Sequence, residues 1–430
     1  MKGNKPFILY TACTIEDGLI IKQLPLVPFG DSYVPLFSVI SPQKCEKCGQ
    51  PLNSNTNHNR VIVSTFDVLK IPVKYWVCSD PRCKKSHPDR IVGVSGGDNY
   101  SDEYKEKSCN TRYNGKCSLN NTSTVGNIFT KDTGHLGRSP CATTIWKYEQ
   151  KQGELSLNKL RETDVELGEK IYVDGIFIKT GWKKNLETML NRKISQKEWR
   201  KLRYKVVYVV ATEEKVILDF QIANRLPSFF ELIPLFSRLK VRFGEDVRTI
   251  VSDEERAIIN AAKHVFPDAN FKFCVFHQLQ KIDEKFFGVY QDKAHIPDID
   301  LKFYELFKKL ILSESVIESS AYTRMINELM EKIKASSVVQ NAYNYVMKKY
   351  LSNRELFEKN IVPETNNTME QIFSTIKDFV IQCRSFKIVK GLKNWAANLF
   401  HIKNSAPFKT GKNSGKSPLE INAAKRGIGI

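Results

Sequence analysis

Over the first hundred positions, apolar residues come in short runs broken by turn formers: LPLVPF, YVPLFSVI, NRVIVSTFDVL and VKYWVC. Such runs, rich in β-branched and aromatic residues, predict strands. From Tyr100 to about Gln152 the pattern changes to polar helical segments punctuated by Gly and Pro. After Glu169 come three β-rich stretches, EKIYVDGIFIK, YKVVYVVATEEKVILDFQIA and VRTIVSD, with a helical segment, PSFFELIPLFSRLKVRF, before the last. This is an α/β pattern. From about Asp283 to Lys359 apolar positions recur at i, i+3 and i+4 through FYELFKKLIL, YTRMINELMEKI and AYNYVMKKYL, so a helical block interrupts it. The segment KNSAPFKTGKNSGKSP near the end is basic and turn-rich, and is expected to be a mobile, phosphate-seeking tail.

Charge narrows the partners. The 430 residues carry 66 Lys+Arg against 47 Asp+Glu, a net charge of +19, and the sequence pI is about 9.3. A surplus of this size suits a polyanion, because neutralising phosphates releases condensed counterions. No stretch approaches the roughly 18 consecutive apolar residues of a membrane span. The start, MKGNKPFILYTACTIEDG, lacks the apolar core of a secretory signal. A soluble cytoplasmic protein with no membrane partner is expected. Ten cysteines in such a chain are read for metal binding or packing rather than disulfides.

Four of them have metal-ligand spacing. Cys45-x2-Cys48, with Gly49 directly after, makes a tight turn that aims two thiolates at one ion, and Cys78-x4-Cys83-x3-His87 supplies the second half. Two such knuckles joined by strand-like sequence form a zinc ribbon holding a structural Zn²⁺. Cys45, Cys48, Cys78 and Cys83 are the first-choice ligands, with His87 able to replace Cys83. The gap between the pairs exceeds the roughly 15 to 20 residues of the usual motif, which implies a hairpin insertion around Asn53 to Asn59. Cys109, Cys117 and Cys141 have no tight pair spacing and are taken as packing residues.

A helix-turn-helix candidate follows. NNTSTVGNIFTK offers a first helix, TGHLG with Gly134 and Gly137 a turn, and Ser139-Pro140 a cap and first helical position before CATTIWKYEQK, helical to about Lys151. In such a motif the start of the second helix reads the major groove, so Arg138, Thr143, Thr144 and Lys147 are the DNA-contact candidates. The plainer reading is a helical hairpin with Ile145 and Trp146 in a core.

Three acids stand out next. Asp174 sits in the middle of the apolar strand IYVDGIFIK, with Gly175 permitting close approach. A carboxylate buried there needs a hydrogen bond, an ion pair or a metal. Asp253 closes the strand VRTIVSD where the helix EERAIINAAKHVF begins, a place where α/β sheets bind ligands. In PETNNTMEQIFSTIKDF, Thr365 or Asn366 can cap a helix, and Glu370 in its first turns faces the same way as Phe373 and Ile376. Two strand-borne aspartates and a helix-borne glutamate suit two-metal phosphoryl transfer with Mg²⁺. Glu254, Glu255 and Glu364 compete as helix-dipole partners.

Asp174 in IYVDG, Asp253 in VSDEERAI, Cys274-x2-His277 in FKFCVFHQLQK and Thr365-Asn366-Asn367-x2-Glu370, in that order, resemble the DDE transposases of insertion sequences, closest to the Mutator-like and IS256-like group with an RNase H-like core. The resemblance covers roughly residues 166 to 430. It implies Asp174 on the first core strand, Asp253 just after the fourth, Glu370 on a late helix, and an all-helical insertion between the second and third acids. Mg²⁺ (or Mn²⁺) would be held by these three acids, with Cys274, His277, Asn366 and Asn367 supporting the site. The organisation expected is α/β: a zinc-ribbon module at 1–98, a helix-turn-helix segment at 99–165, an RNase H-like core at 166–282, a helical insertion at 283–359, and the rest of the core with the basic tail at 360–430. The Lys-rich segment from Gly181 to Tyr204 departs from the family pattern, leaves the first strand pairing open and is expected to project as a basic helical arm.

The function implied is metal-dependent cleavage and strand transfer on double-stranded DNA, at transposon ends and target, by a homodimer or higher oligomer in a prokaryotic, nucleoid-associated setting. The rival readings are a non-catalytic zinc-dependent DNA-binding regulator, and an RNase H-like nuclease or resolvase.

Overall fold

The computed structural model describes residues 13–16, 19–23, 26–29, 32–35, 38–64, 68–95, 99–132, 140–181, 183–358, 367–383, 386 and 388–425. The chain divides into two compact units, Met1–Glu149 and Gln150–Ile430.

Among the described residues, the first unit begins with the strands β1 (Cys13–Glu16), β2 (Leu19–Gln23), β3 (Leu26–Phe29), β4 (Ser32–Pro35), β5 (Ser38–Ile40), β6 (Leu52–Val63), β7 (Val68–Cys78), β8 (Ser86–Pro88) and β9 (Arg90–Ile91). They form a sheet of order β1-β2-β5-β9, a β3-β4 pair and a ribbon β6-β7-β8. Val39, Ile62, Ile71, Val73, Ile91 and Val94 make its buried core. The residues around Asn53 to Asn59 are no separate hairpin. They lie within β6, paired with β7 from Leu52↔Cys78 to Val63↔Val68, so the long gap between the cysteine pairs lengthens both ribbon strands.

Three helices follow: α1 (Asp102–Asn114), α2 (Leu119–Asp132) and α3 (Ala142–Glu162). The Ser101 hydroxyl caps α1 by accepting from the Tyr104 N–H. Glu149 is buried and accepts from Arg112 Nε at 2.7 Å and the Tyr113 hydroxyl at 2.6 Å, tying α1 to α3. The second helix of the helix-turn-helix candidate runs past Lys151 to Glu162, because Ser156, Leu157 and Leu160 continue its buried face beyond Glu149 at helical spacing and no Pro intervenes.

The second unit is built on β10 (Lys170–Lys179), β11 (Tyr204–Ala211), β12 (Ile217–Asn224), β13 (Thr249–Ser252) and β14 (Asn270–Phe273), in the order β12-β11-β10-β13-β14. The first three are antiparallel, and β13 and β14 run parallel to β10. Between β10 and β11 lie α4 (Lys183–Leu190) and α5 (Gln196–Leu202). The Lys-rich segment is thus two short helices rather than one arm, and the strand pairing stays whole from Tyr172↔Ala211 to Lys179↔Tyr204. Its base is pinned by the Trp199 indole N–H to the Gly181 carbonyl and by Arg203 over the Trp199 and Tyr204 rings.

Helices α6 (Phe229–Phe243) and α7 (Arg256–Val265) cover one sheet face, packing Leu232, Phe236, Ile258 and Ala262 on Ile171, Val173, Val206 and Val210. Side chains alternate along a strand, so Asp174 points to the opposite face, with its cross-strand partner Val209 and then Phe220. That face carries α12 (Asn367–Cys383) and α13 (Val389–Ser405), whose Phe400 ring meets Phe220 edge-on. α13 is buried almost all round through Leu392, Trp395, Ala396, Leu399 and Phe400. Its Asn404 amide donates to the Ile217 carbonyl and accepts from the Ile217 N–H, both at 2.8 Å, and so satisfies the edge strand's backbone.

Between β14 and α12 stand α8 (Val275–Tyr290), α9 (Asp298–Leu312), α10 (Val316–Lys332) and α11 (Ser337–Glu358). They share their own core of Phe286, Phe303, Phe307, Ile326, Val339 and Val346. The KNSAPFKTGKNSGKSP segment is not a loose tail. Phe408 bridges Ser414, and α14 (Pro418–Lys425) follows, its Asn422 exchanging hydrogen bonds with the Glu166 backbone. Lysine count misled here because the backbone groups find partners locally. No described helix is long and apolar enough to cross a membrane.

Candidate functional site

Two donor clusters stand out, one in each unit. In the first, Cys45 opens a turn closed by Gly49 N–H to Cys45 O at 2.8 Å. Gly49 has φ +74°, the left-handed conformation that explains a glycine there. The second knuckle is similar: Cys78 ends β7, and the Cys83 N–H turns back to the Asp80 carbonyl at 3.1 Å. The sulfurs of Cys45, Cys48, Cys78 and Cys83 all lie within 4.8 Å of one another. Cys45 and Cys83 are 3.7 Å apart and Cys48 and Cys78 3.3 Å, too far for a disulfide. A tetrahedral zinc with Zn–S bonds of about 2.3 Å holds sulfurs about 3.8 Å apart, so the donor set fits. Burial, with Cys48, Cys45 and Cys83 beside it, pushes the Cys78 thiol up to about 12. Such a group cannot become four thiolates without a cation.

His87, open as an alternative to Cys83, takes a different place. Its Nε2 is 3.3 Å from Cys45 Sγ, and its Nδ1 is 4.0 Å from Glu46. It orients a cysteine rather than completing the four. Of the other cysteines, Cys109 is buried as expected, Cys117 is half-buried, and Cys141 is exposed.

On α3, Thr143 and Lys147 are exposed, Thr144 is half-buried against Cys141, and Trp146 is 38% exposed. Of the pair Ile145 and Trp146, Ile145 alone joins the core, at 1%. The helix start therefore offers Thr143, Trp146 and Lys147 on one face. Arg138, with Gly134, Gly137 and Ser139, lies outside the described residues.

In the second unit, Asp174 is central in β10, 7% exposed, and its Oδ1 accepts from the Gly175 N–H at 2.7 Å. A Cβ on Gly175 would meet Val206 at 2.7 Å and the Tyr208 ring at 2.9 Å, so the close approach that needs glycine is that of these two side chains. Val173 pairs with Ser252, which sets Asp253 beside Asp174 just past the end of β13. The Asp253 carboxylate accepts from the Glu255 N–H at 3.0 Å. Glu370 sits in the first turn of α12, the helix packed on β10, and its Oε1 is buried without a hydrogen-bond partner.

These acids act on one another. Burial first, then Asp253, Glu370 and Glu255, push Asp174 up to about 7 against the Gly175 N–H. Burial also raises Asp253, opposed by the Glu255 N–H and by His277 and Lys281. They are less tightly drawn than the thiols: among the described residues, the four cysteines alone have three or more donor atoms within 4.8 Å of one another. Uncompensated negative charges repel, and a buried carboxylate oxygen without a hydrogen-bond partner beside them suits a cation. Hard divalent ions such as Mg²⁺ fit this all-oxygen set.

Cys274 is fully buried at the start of α8, its N–H donating to the Ser252 carbonyl at 2.8 Å. His277, one turn on, has a buried Nδ1 without a hydrogen-bond partner. Asn367 opens α12, while Asn366, Thr365 and Glu364 lie outside the described residues. Two acids read as dipole partners have more specific roles. Glu255 accepts from the Tyr208 hydroxyl at 2.7 and 2.8 Å. Glu254 is bonded by Lys281, Lys349 and Tyr345. The D-E-E run after a strand was the only signal for either.

No curated protein matches the chain. Residues 223–281 match the MULE transposase domain. That segment runs from the end of β12 to the first turns of α8, and includes Asp253, Cys274 and His277. That segment thus resembles a Mutator-like transposase domain, and the family resemblance read from the sequence holds at that coarse level.

Proposed function

We propose that the protein is a DDE-type DNA transposase with an RNase H-like core, in which Asp174, Asp253 and Glu370 hold divalent metal for cleavage and strand transfer on double-stranded DNA. The observation that carries this reading is the meeting of three acids from β10, the end of β13 and α12, with Asp174 raised to about 7 and a Glu370 oxygen left orphaned. The strand order, a three-stranded antiparallel meander followed by two parallel strands, supports the core assignment. The helices between the second and third acids speak for the IS256-like branch.

When bound, Mg²⁺ would supply a Lewis acid that neutralises phosphoryl charge and favours a deprotonated nucleophile. The residues do the placing. β10 and β13, fixed by their pairing, hold Asp174 and Asp253 side by side, and α12, packed on β10, brings Glu370 near enough to act on Asp174. The Gly175 and Glu255 N–H groups orient the two aspartates. His277 acts favourably on the Asp253 carboxylate. The net charge of +19 supplies sequence-independent affinity for DNA. The ribbon, a structural zinc module, and Thr143, Thr144 and Lys147 at the head of α3, with Arg138 before it, would recognise the element's ends.

Strand cleavage of a duplex carrying those ends, in Mg²⁺, tests the assignment. Asp174→Asn, Asp253→Asn and Glu370→Gln should each reduce cleavage by more than about 100-fold, since losing a group that merely orients a metal ligand already reaches that size, while DNA binding stays. Glu364→Gln should be nearly silent. Activity in all four variants would refute the reading, and a dead Glu364→Gln beside an active Glu370→Gln would reassign the third acid.

A further inference from the structure

We propose that Glu254 is a positioning residue for Asp253, clamped by the helical insertion so that α8 and α11 brace the metal site. The inference rests on the catalytic reading of Asp253 and adds a role for the insertion.

Glu254 follows Asp253 directly in the turn from β13 to α7. Its side chain is 11% exposed and receives three bonds: Lys281 Nζ at 2.6 Å, Lys349 Nζ at 2.7 Å and the Tyr345 hydroxyl at 2.9 Å. Lys281 belongs to α8, and Tyr345 and Lys349 to α11, so all three donors come from the helical block between β14 and α12. The donors are themselves fixed. Lys349, with a side chain 11% exposed, lies over the Phe273 ring at 4.6 Å, and Lys281 stands 5.9 Å from the centre of the Tyr345 ring.

One carboxylate with two cations and a hydroxyl is more than a surface helix start requires. A buried network of this kind gives little net stability, since desolvation offsets the attraction, and its attested use is to fix one arrangement among several. Here it fixes the peptide that carries Asp253. On one side the Ser252 hydroxyl donates to the Asp253 carbonyl at 2.9 Å, and on the other the Glu255 N–H holds the carboxylate. The Glu254 clamp adds a third anchor, from chain 91 residues away. With the turn held at three points, Asp253 faces Asp174 without having to be ordered by the metal. Releasing the clamp lets the turn move, and the metal must then supply the ordering.

The test uses the full chain with its zinc retained. Mn²⁺ affinity is measured by titration calorimetry, the Mg²⁺ dependence of strand cleavage by assay, and duplex affinity separately. Glu254→Gln and Lys349→Met should each weaken Mn²⁺ binding and raise the Mg²⁺ needed for half-maximal cleavage by roughly 10- to 100-fold. Saturating Mg²⁺ should restore most of the rate, and DNA affinity should not change. The double variant should be no worse than either single one, because both remove the same clamp. If Glu254→Gln does not fold, Tyr345→Phe, which leaves both ion pairs, should show a smaller shift in the same direction. Wild-type metal dependence in these variants, with Asp253→Asn having lost it, would overturn the brace and leave the catalytic assignment standing. Metal binding and cleavage that survive in Asp253→Asn would overturn the catalytic assignment and the brace together.

Discussion

Cys45, Cys48, Cys78 and Cys83 crowd their sulfurs within 4.8 Å, while Asp174, Asp253 and Glu370 come together more loosely. The thiol cluster is held by two backbone turns at the ends of a ribbon, each closed by hydrogen bonds within a few residues. The acids hang on three elements far apart in the chain and meet only because β10 pairs with β13 and α12 packs on β10. A set built locally is pre-formed around one ion. On the proposed reading, a set built by tertiary packing leaves room for substrate, which catalysis needs and a structural site does not.

That difference predicts its largest effect on metal removal. Purified protein should contain about one tightly bound zinc, and chelation should unfold the first unit while the second keeps its melting transition. Structural zinc sites contribute on the order of 10 kcal/mol of apparent folding free energy, as much as the whole net stability of a typical domain, about 5–15 kcal/mol. Cys78→Ser should have the same effect. His87→Ala, which removes the contacts to Cys45 and Glu46 but none of the four thiols, should weaken zinc by roughly 10- to 100-fold. Metal analysis that finds no zinc, or a first unit indifferent to chelation, would end the contrast.

The same contrast decides what could be read from the chain alone. Cys-x2-Cys and Cys-x4-Cys are local spacings that dictate their own turns, so the four ligands were legible. The His87 contact to Cys45 was not, since it depends on how β8 pairs with β7. Period-2 and period-3.6 patterns marked the core strands and the insertion helices. They missed α13, whose Asn394, Asn398 and Asn404 are buried for hydrogen bonds to Gln150, Ser156 and Ile217 and so break the apolar stripe. The acids were legible one at a time as a buried strand residue, a strand end and a helix start. Their meeting, and the Glu254 clamp, depend on sheet order and on how the insertion packs, which no spacing encodes.

A smaller effect of opposite sign is expected at the acids. Asp174 rises from 3.8 to about 7 on folding, chiefly through burial. The folded state therefore binds this proton more tightly than the unfolded one, and metal-free protein should lose stability as pH rises from about 4 to about 7. At about 1.4 kcal/mol per unit, this costs up to roughly 4 kcal/mol at neutral pH. Asp174→Asn should recover most of it and flatten the slope, and Mg²⁺ should stabilise the wild type but not the variant. Thermal melts of the second unit's transition between pH 4 and 8 would show it. A wild type that gains stability over that range would mean the carboxylate is already paired. Removing a donor should thus destabilise the cysteine site and stabilise the carboxylate site.

The smallest effect separates binding from chemistry. Thr143 and Lys147 are exposed at the head of α3, in the unit that holds the thiols. If that helix reads the major groove, Lys147→Ala should cost about 1–3 kcal/mol on duplexes carrying the element's ends and much less on random duplex. If Lys147 touches only phosphate, both affinities should fall together, and the slope of log affinity against log salt should shrink by about one. In either case cleavage per bound complex should match the wild type, because no acid has been moved. Asp174→Asn should do the reverse, keeping affinity and losing cleavage. Binding isotherms at several salt concentrations, paired with single-turnover cleavage, read both quantities from the same samples. A Lys147 variant that binds normally but cleaves slowly would place the head of α3 at the reacting DNA rather than at its recognition sequence, and the division of labour between thiol unit and acid unit would fail.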